Sequence, residues 1–370
     1  MQGWRRRRRA DVVQPAGERA GMKRYLDYVW PLLGLVAVVL SVKLLYEKLK
    51  AEAASDLAVK ALLETGDLWS QIKVIASVIG AKLAVIPPHS YLLAFASTLV
   101  AYAALAWYDR ISLIHLGKQR GISYLYIAVC SFVTYAISHN IGASVFSGGM
   151  VRLRAYTAKG LSAAEIAVLV ALCSFTFAFG TLLLLGAVLV AEPEIIRPLT
   201  SLSRHFAIGD SAARLVGGGL LAFCLVYVLG AWLRLRPLKI GNFKLVYPGL
   251  PVVARQCLAA PLELMGAAGI IYFALPADGS PGFQIVLGAF LLSFSAGLLS
   301  QVPGGVGVME AVFLAVMPNV PATAVFAALL VWRLFYLLLP LAMAIPVIIL
   351  FERSQIGKAT RALASPANGE

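Results

Sequence analysis

Two stretches of 31 residues, Gly121–Val151 and Gly279–Met309, contain no Asp, Glu, Lys or Arg. One membrane crossing uses about 20 apolar residues, and two crossings with a turn need more than about 40. These stretches suit neither; their length suits a hairpin that turns near the midplane and leaves by the face it entered. Each is also interrupted near its centre. The first carries Ser138-His139-Asn140-Ile141-Gly142, and the second carries Ser300-Gln301-Val302-Pro303-Gly304-Gly305. Backbone freed by such a break is tolerated at membrane depth only where it is buried in protein or lines a wet cavity. The two breaks are therefore expected inside a membrane domain, not on its lipid-facing surface.

The rest of the chain agrees. It is 60% hydrophobic and 14% charged, and apolar runs of spanning length recur nearly end to end. They are Tyr28–Tyr46, Ser90–Trp107, Ile166–Ala191, Leu215–Leu233, Gln256–Ala277 and a last one within Val320–Phe351. The expected fold is an all-α polytopic membrane protein with about six transmembrane helices and two opposed re-entrant helical hairpins, at 121–151 and 279–317. Residues 28–351 form the membrane domain, flanked by a basic tail (1–27, with the run Arg5–Arg9) and a second tail (352–370). Ala51-Glu52-Ala53 has the look of a signal-peptidase site, but the apolar run before it exceeds the 7–15 residues typical of a signal peptide, so it reads as an uncleaved anchor. Leu68, Trp69, Ile72, Ile75, Ile79 and Leu83 recur at helical spacing. They predict an amphipathic helix over 67–84 that lies in the membrane interface or packs on a neighbouring loop, with Asp67 as its N-cap.

Charge sets the expected orientation. With both uncharged stretches as hairpins, 21 of the 32 lysines and arginines fall on one side, and the short loops Pro276–Gly282 and Pro318–Pro321 carry none. That distribution follows the positive-inside rule with both termini cytoplasmic. It also creates an inverted repeat of span, hairpin and span, with broken helices meeting near the midplane, a layout common among secondary transporters. The net charge of +14 is then a matter of topology and anionic lipid, not of nucleic acid. Cys130, Cys173, Cys224 and Cys257 are far apart in apolar segments and read as small core hydrophobes, with neither metal nor disulfide spacing.

No metal, cofactor or catalytic constellation stands out among the four histidines and four cysteines. The expectation is a non-enzymatic membrane protein without a cofactor. Arg152 and Arg154 follow the pair Gly148-Gly149 and either hold the loop in the cytoplasm or grip a phosphate. His139 and Asn140 offer neutral donors and acceptors at the first break, beside Ser138 and Gly142. Gln301, Pro303, Gly304 and Gly305 do so at the second. Glu263, Glu310 and Arg333 are charges at membrane depth, where each needs a partner or water. They form either a head-group or proton site, or a structural ion pair such as Glu310 with Arg333.

Asn140-x-Gly142 through Gly148-Gly149 to Arg152, then Val302-Pro303-Gly304-Gly305-Val306-Gly307-Val308-Met309-Glu310, then Arg333-Leu334-Phe335-Tyr336 before Pro340, resemble the lysylphosphatidylglycerol synthase transmembrane family. The resemblance runs from about Val29 to Phe351. It implies flippase-like movement of a phospholipid or related lipid between leaflets of a bacterial inner membrane, with Arg152, Glu310 and Arg333 as functional positions. The full-length multiple peptide resistance factors of that family also carry a soluble aminoacyltransferase domain, for which the residues after the last span leave no room; the chain resembles the family's stand-alone members instead, and lysyl transfer is not expected. The implied partner is a membrane lipid with an anionic or zwitterionic head group. A non-catalytic role beside a lipid-synthesising enzyme, a homo-oligomer and an integral-membrane transferase are the alternatives.

Overall fold

The computed structural model describes residues 67–141, 144–197, 209–234, 238–240, 243–245, 247–277, 281–300 and 303–364. The basic tail, the spanning candidate Tyr28–Tyr46 and the site candidates Gly142 and Gln301 lie outside the described residues.

Helix α1 (Leu68–Val85) starts where expected, on Asp67, whose carboxylate accepts from the backbone N–H of Ser70 at 3.3 Å. The hydroxyl of Ser70 also donates to Asp67 and holds its carboxyl below the usual range. Pro88 opens α2 (Pro88–His115), where a missing N–H costs nothing. The first uncharged stretch is two helices, α3 (Tyr124–Ile141) and α4 (Ser144–Thr157), packed on each other. A reciprocal cap of Ser162 and Glu165 starts α5 (Ala163–Ala191). Helix α6 (Asp210–Trp232) packs along α5. A short antiparallel pair, Leu238–Ile240 with Phe243–Leu245, then leads into α7 (Leu250–Ala274) and is the one departure from an all-helical chain among the described residues.

The second uncharged stretch is also broken. Helix α8 (Phe283–Leu299) and helix α9 (Val308–Val316) are joined through a tight turn at Pro303–Gly305 and pack on each other. The last apolar segment runs as α10 (Ala322–Trp332), a π-helical segment (Arg333–Leu338) and α11 (Leu339–Ala364). Helix α11 carries on well past Phe351, where the sequence suggests a tail.

Among the described residues five helices are long and apolar enough to cross a membrane: α2, α5, α6, α7 and the Ala324–Phe351 part of α10 and α11. They coincide with five of the six spans expected from hydropathy; the sixth, Tyr28–Tyr46, is outside the described residues. This is a helical membrane protein.

Helix α7 is the most buried of the five and packs most extensively on α2. Small residues permit that contact, as is usual between membrane helices. A Cβ at Gly266 would stand 2.9 Å from the backbone nitrogen of Ala101 and from the carbonyl oxygen of Ser97. On α6, Gly219 has nothing within 4 Å. Gly266→Ala should therefore lower stability in detergent by about 1–3 kcal/mol through overpacking. Gly219→Ala should leave it unchanged or raise it by up to about 1 kcal/mol through helix propensity. Thermal unfolding of the two variants distinguishes backbone contact from propensity, and equal shifts would contradict the packing described here.

Candidate functional site

The second break is built from glycines because its backbone demands them. Gly304, Gly305 and Gly307 have φ of +59°, +61° and +84°, the left-handed region that side chains disfavour. The chain reverses there, and α9 begins immediately after it. Glu310, in the first turn, accepts from the N–H of Gly307 at 2.6 Å through Oε2. Its other oxygen takes two donors from one guanidinium: Arg333 Nε at 3.1 Å and Nη2 at 2.5 Å. The third nitrogen, Nη1, donates to the carbonyl of Gly304 at 2.8 Å. One arginine thus holds both the carboxylate and the peptide of the break. Both partners are buried, Glu310 at 1% exposure and Arg333 at 8%.

Arg333 also opens the π-helical segment, and Pro340 explains why the helix changes pitch. A proline lacks the N–H that would serve the carbonyl four residues earlier, here that of Tyr336. Tyr102 on α2 takes its place, donating its hydroxyl to Tyr336 O at 3.0 Å. The next carbonyl, Leu337 O, accepts from Asn140 Nδ2 at 3.0 Å, and the same amide group donates to Ala136 O at 2.8 Å. The end of α3 is thereby fastened to the π segment and packs on the Pro303–Gly305 turn. His139 and Asn140, expected from the sequence to interrupt the helix, instead lie in the last turn of α3, and from there they meet the second break and the last helix.

The Tyr336 side chain is the hub of this meeting point. Its ring stacks on His139 (centroids 5.2 Å, 17°) and on Trp332 (5.2 Å, 23°). Its hydroxyl donates to Glu263 Oε1 at 2.6 Å, while Tyr108 Oη lies 3.5 Å from Oε2. Glu263 therefore does not join Glu310 and Arg333. It is a buried carboxyl on α7 with two phenols as partners, and among the described residues no cation pairs with it. Two buried polar atoms beside Tyr336, His139 Nδ1 and Trp332 Nε1, have no hydrogen-bond partner among the described residues.

Arg152 is engaged elsewhere. Its Nε lies 3.2 Å from each carboxylate oxygen of Asp109, and Nη2 donates to Oδ1 at 2.7 Å. Tyr156 donates to Asp109 Oδ2 at 2.9 Å and the Cys173 thiol to Oδ1 at 3.5 Å. The guanidinium lies over the Tyr135 ring, 4.9 Å from its centroid. Gly148 allows this approach of α4 to α3, since a Cβ there would stand 3.0 Å from Thr134 Cγ2 and 3.5 Å from Ser138 Cβ. Gly149 faces open space. Arg154, two residues from Arg152, is exposed and lines an apolar groove of about 280 Å³ formed with Val133, Met150, Val347 and Phe351.

Asp109 is the residue the sequence reading misses. Tyr108-Asp109-Arg110 looks like the end of a span, where charges return to water. Yet Ile111, Leu113 and Ile114 continue the apolar pattern, and α2 runs on to His115 with Asp109 fully buried. That continuing pattern was the available signal. Replacing either member of this pair strands a buried charge, at about 3–5 kcal/mol. Asp109→Asn and Arg152→Gln should each show that loss in thermal unfolding, and the double variant should cost clearly less than their sum. Additive losses would contradict a mutual pair.

No family model matches the chain. It is 31% identical over 252 residues to the uncharacterized protein slr0712 of Synechocystis sp., covering 68% of this chain and 76% of that protein. It is 30% identical over 257 residues to the inner membrane protein YbhN of Escherichia coli, covering 68% of this chain and 77% of YbhN.

Proposed function

We propose that this chain, which belongs to the family of the inner membrane protein YbhN, moves a lipid between the leaflets of a bacterial inner membrane. The observation that carries the reading is that the end of α3 and the glycine turn at Pro303–Gly305 meet on one π-helical segment. Irregular backbone of this kind persists at membrane depth only when buried or facing a wet cavity. Here it comes with two buried polar atoms, His139 Nδ1 and Trp332 Nε1, that have no hydrogen-bond partner among the described residues.

In this reading α3 with α4, and α8 with α9, are re-entrant hairpins entering from opposite faces. The spans α2 and α5 flank the first, and α7 and α10–α11 flank the second, giving the inverted repeat with both termini cytoplasmic. The resemblance to the lysylphosphatidylglycerol synthase transmembrane family points to the same activity. The geometry shifts the head-group contacts, however. The fork of Arg152 is closed on Asp109, so a lipid phosphate reaches it only by displacing a carboxylate. His139 Nδ1 and Trp332 Nε1 have no partner among the described residues at the meeting point and are suited to a hydroxyl or phosphoryl oxygen. The apolar groove beside Arg154 accommodates acyl chains.

The Glu310–Arg333 clamp offers the test. Glu310→Gln, Arg333→Gln and their combination are compared for stability in detergent and for exchange of labelled phospholipid in liposomes containing the purified chain alone. Each single variant should lose about 3–5 kcal/mol and the double should recover most of it. Lipid exchange should be present in the unsubstituted chain and remain lost in the stable double variant. Exchange restored together with stability would reduce the pair to scaffolding. No exchange by the unsubstituted chain, for any lipid tested, would contradict translocation itself.

A further inference from the structure

A second cleft lies on the outer side of α2 and α7, separate from the meeting point of the breaks. Its volume is about 580 Å³. At one end stand two arginines, Arg110 near the end of α2 and Arg255 in the second turn of α7, together with Gln119. Toward the middle of the helices its walls become apolar, with Trp107 between the arginines and the exposed side chains of Val100 and Leu262.

The two cations are positioned but not neutralised. Arg110 is exposed, and its guanidinium sits over the ring of Tyr124, 5.0 Å from the centroid. Arg255 is half-buried and donates through Nη1 to the carbonyl of Pro251 at 2.6 Å, which anchors the guanidinium without using its charge. Among the described residues no carboxylate pairs with either. The contrast with Asp109 is direct: it precedes Arg110 in the chain, but its side chain turns inward to Arg152.

We propose that this cleft binds one anionic phospholipid, with its phosphodiester on Arg110 and Arg255 and its acyl chains along Val100 and Leu262. Two guanidiniums supply planar forks that match phosphate oxygens. Trp107 sits where an indole prefers the boundary between head groups and hydrocarbon. Charge at one end and apolar wall at the other is the polarity of a lipid, whereas a soluble anion would gain nothing from the apolar half. The site requires no transport and stands apart from the leaflet-exchange reading.

Trp107 provides the probe. The full-length chain in mixed micelles is titrated with brominated phosphatidylglycerol or brominated phosphatidylcholine, and the share of quenching due to Trp107 is isolated by difference from Trp107→Phe. Phosphatidylglycerol should quench at a mole fraction lower by about tenfold or more, since each surface arginine favours an anionic lipid by about 1 kcal/mol. Arg110→Gln with Arg255→Gln should erase the preference, and Arg110→Lys with Arg255→Lys should keep most of it. Equal quenching by both lipids in the unsubstituted chain would overturn the proposal, as would a preference that survives the glutamine pair. Loss of the preference in excess inorganic phosphate would mark a small-anion site and overturn the lipid assignment.

Discussion

The guanidinium of Arg333 is the contact on which this architecture depends. It reaches Glu310 with two nitrogens and the Gly304 carbonyl with the third. A left-handed glycine turn inside an apolar domain leaves peptide groups that lipid cannot satisfy. A single arginine satisfies one of them, the Gly304 carbonyl, and brings a carboxylate whose second oxygen caps α9. Taking two ions out of water is unfavourable unless their remaining bonds are filled. In this pair every guanidinium nitrogen has an acceptor, and both carboxylate oxygens have donors.

The same logic extends outward from the π segment. Pro340 leaves the Tyr336 carbonyl unserved, and side chains from α2 and α3 supply donors to this carbonyl and the next. A π-helical turn often marks a functional position because it frees carbonyls and rotates side chains out of register. Here it presents Tyr336 to Glu263, His139 and Trp332 together. Tyr135 continues the line, with its ring 5.5 Å from His139 and beneath the Arg152 guanidinium. The result is a band of aromatic rings that connects the two buried ion pairs, with the phenols of Tyr336 and Tyr108 holding Glu263 beside it.

Much of the fold was legible in the chain. Hydropathy located five helices of spanning length, and Pro303-Gly304-Gly305 announced the turn in the second uncharged stretch, whereas His139 and Asn140, expected to break the first, lie within helix α3. Glu310 and Arg333 were recognisable as charges that needed a partner, because few charges lie in the second half's apolar runs. Their pairing with each other was one of the alternatives the sequence offered, and the structure has it; the other pairings across distant segments were not legible. Asp109 resembled a loop residue, since one-dimensional hydropathy cannot tell a helix that leaves the membrane from one that turns a carboxylate inward. Glu263 was grouped with Glu310 and Arg333 on depth alone, whereas α7 presents it to the tyrosines of α2 and the π segment. The change of pitch after Trp332 depends on Pro340 together with donors from two other helices, and only packing brings those together.

The proposed lipid path requires the two uncharged stretches to enter the membrane from opposite faces. Lys159, just after α4, and Gly282, just before α8, are exposed and would report those faces. The direct measurement places Lys159→Cys or Gly282→Cys in a chain whose four cysteines have been replaced, and labels each with an impermeant thiol reagent in sealed vesicles of known orientation. Labelling of the two positions from opposite sides is the predicted result. Labelling of both from the same side would contradict opposed re-entrant hairpins, and with them the path proposed for the lipid.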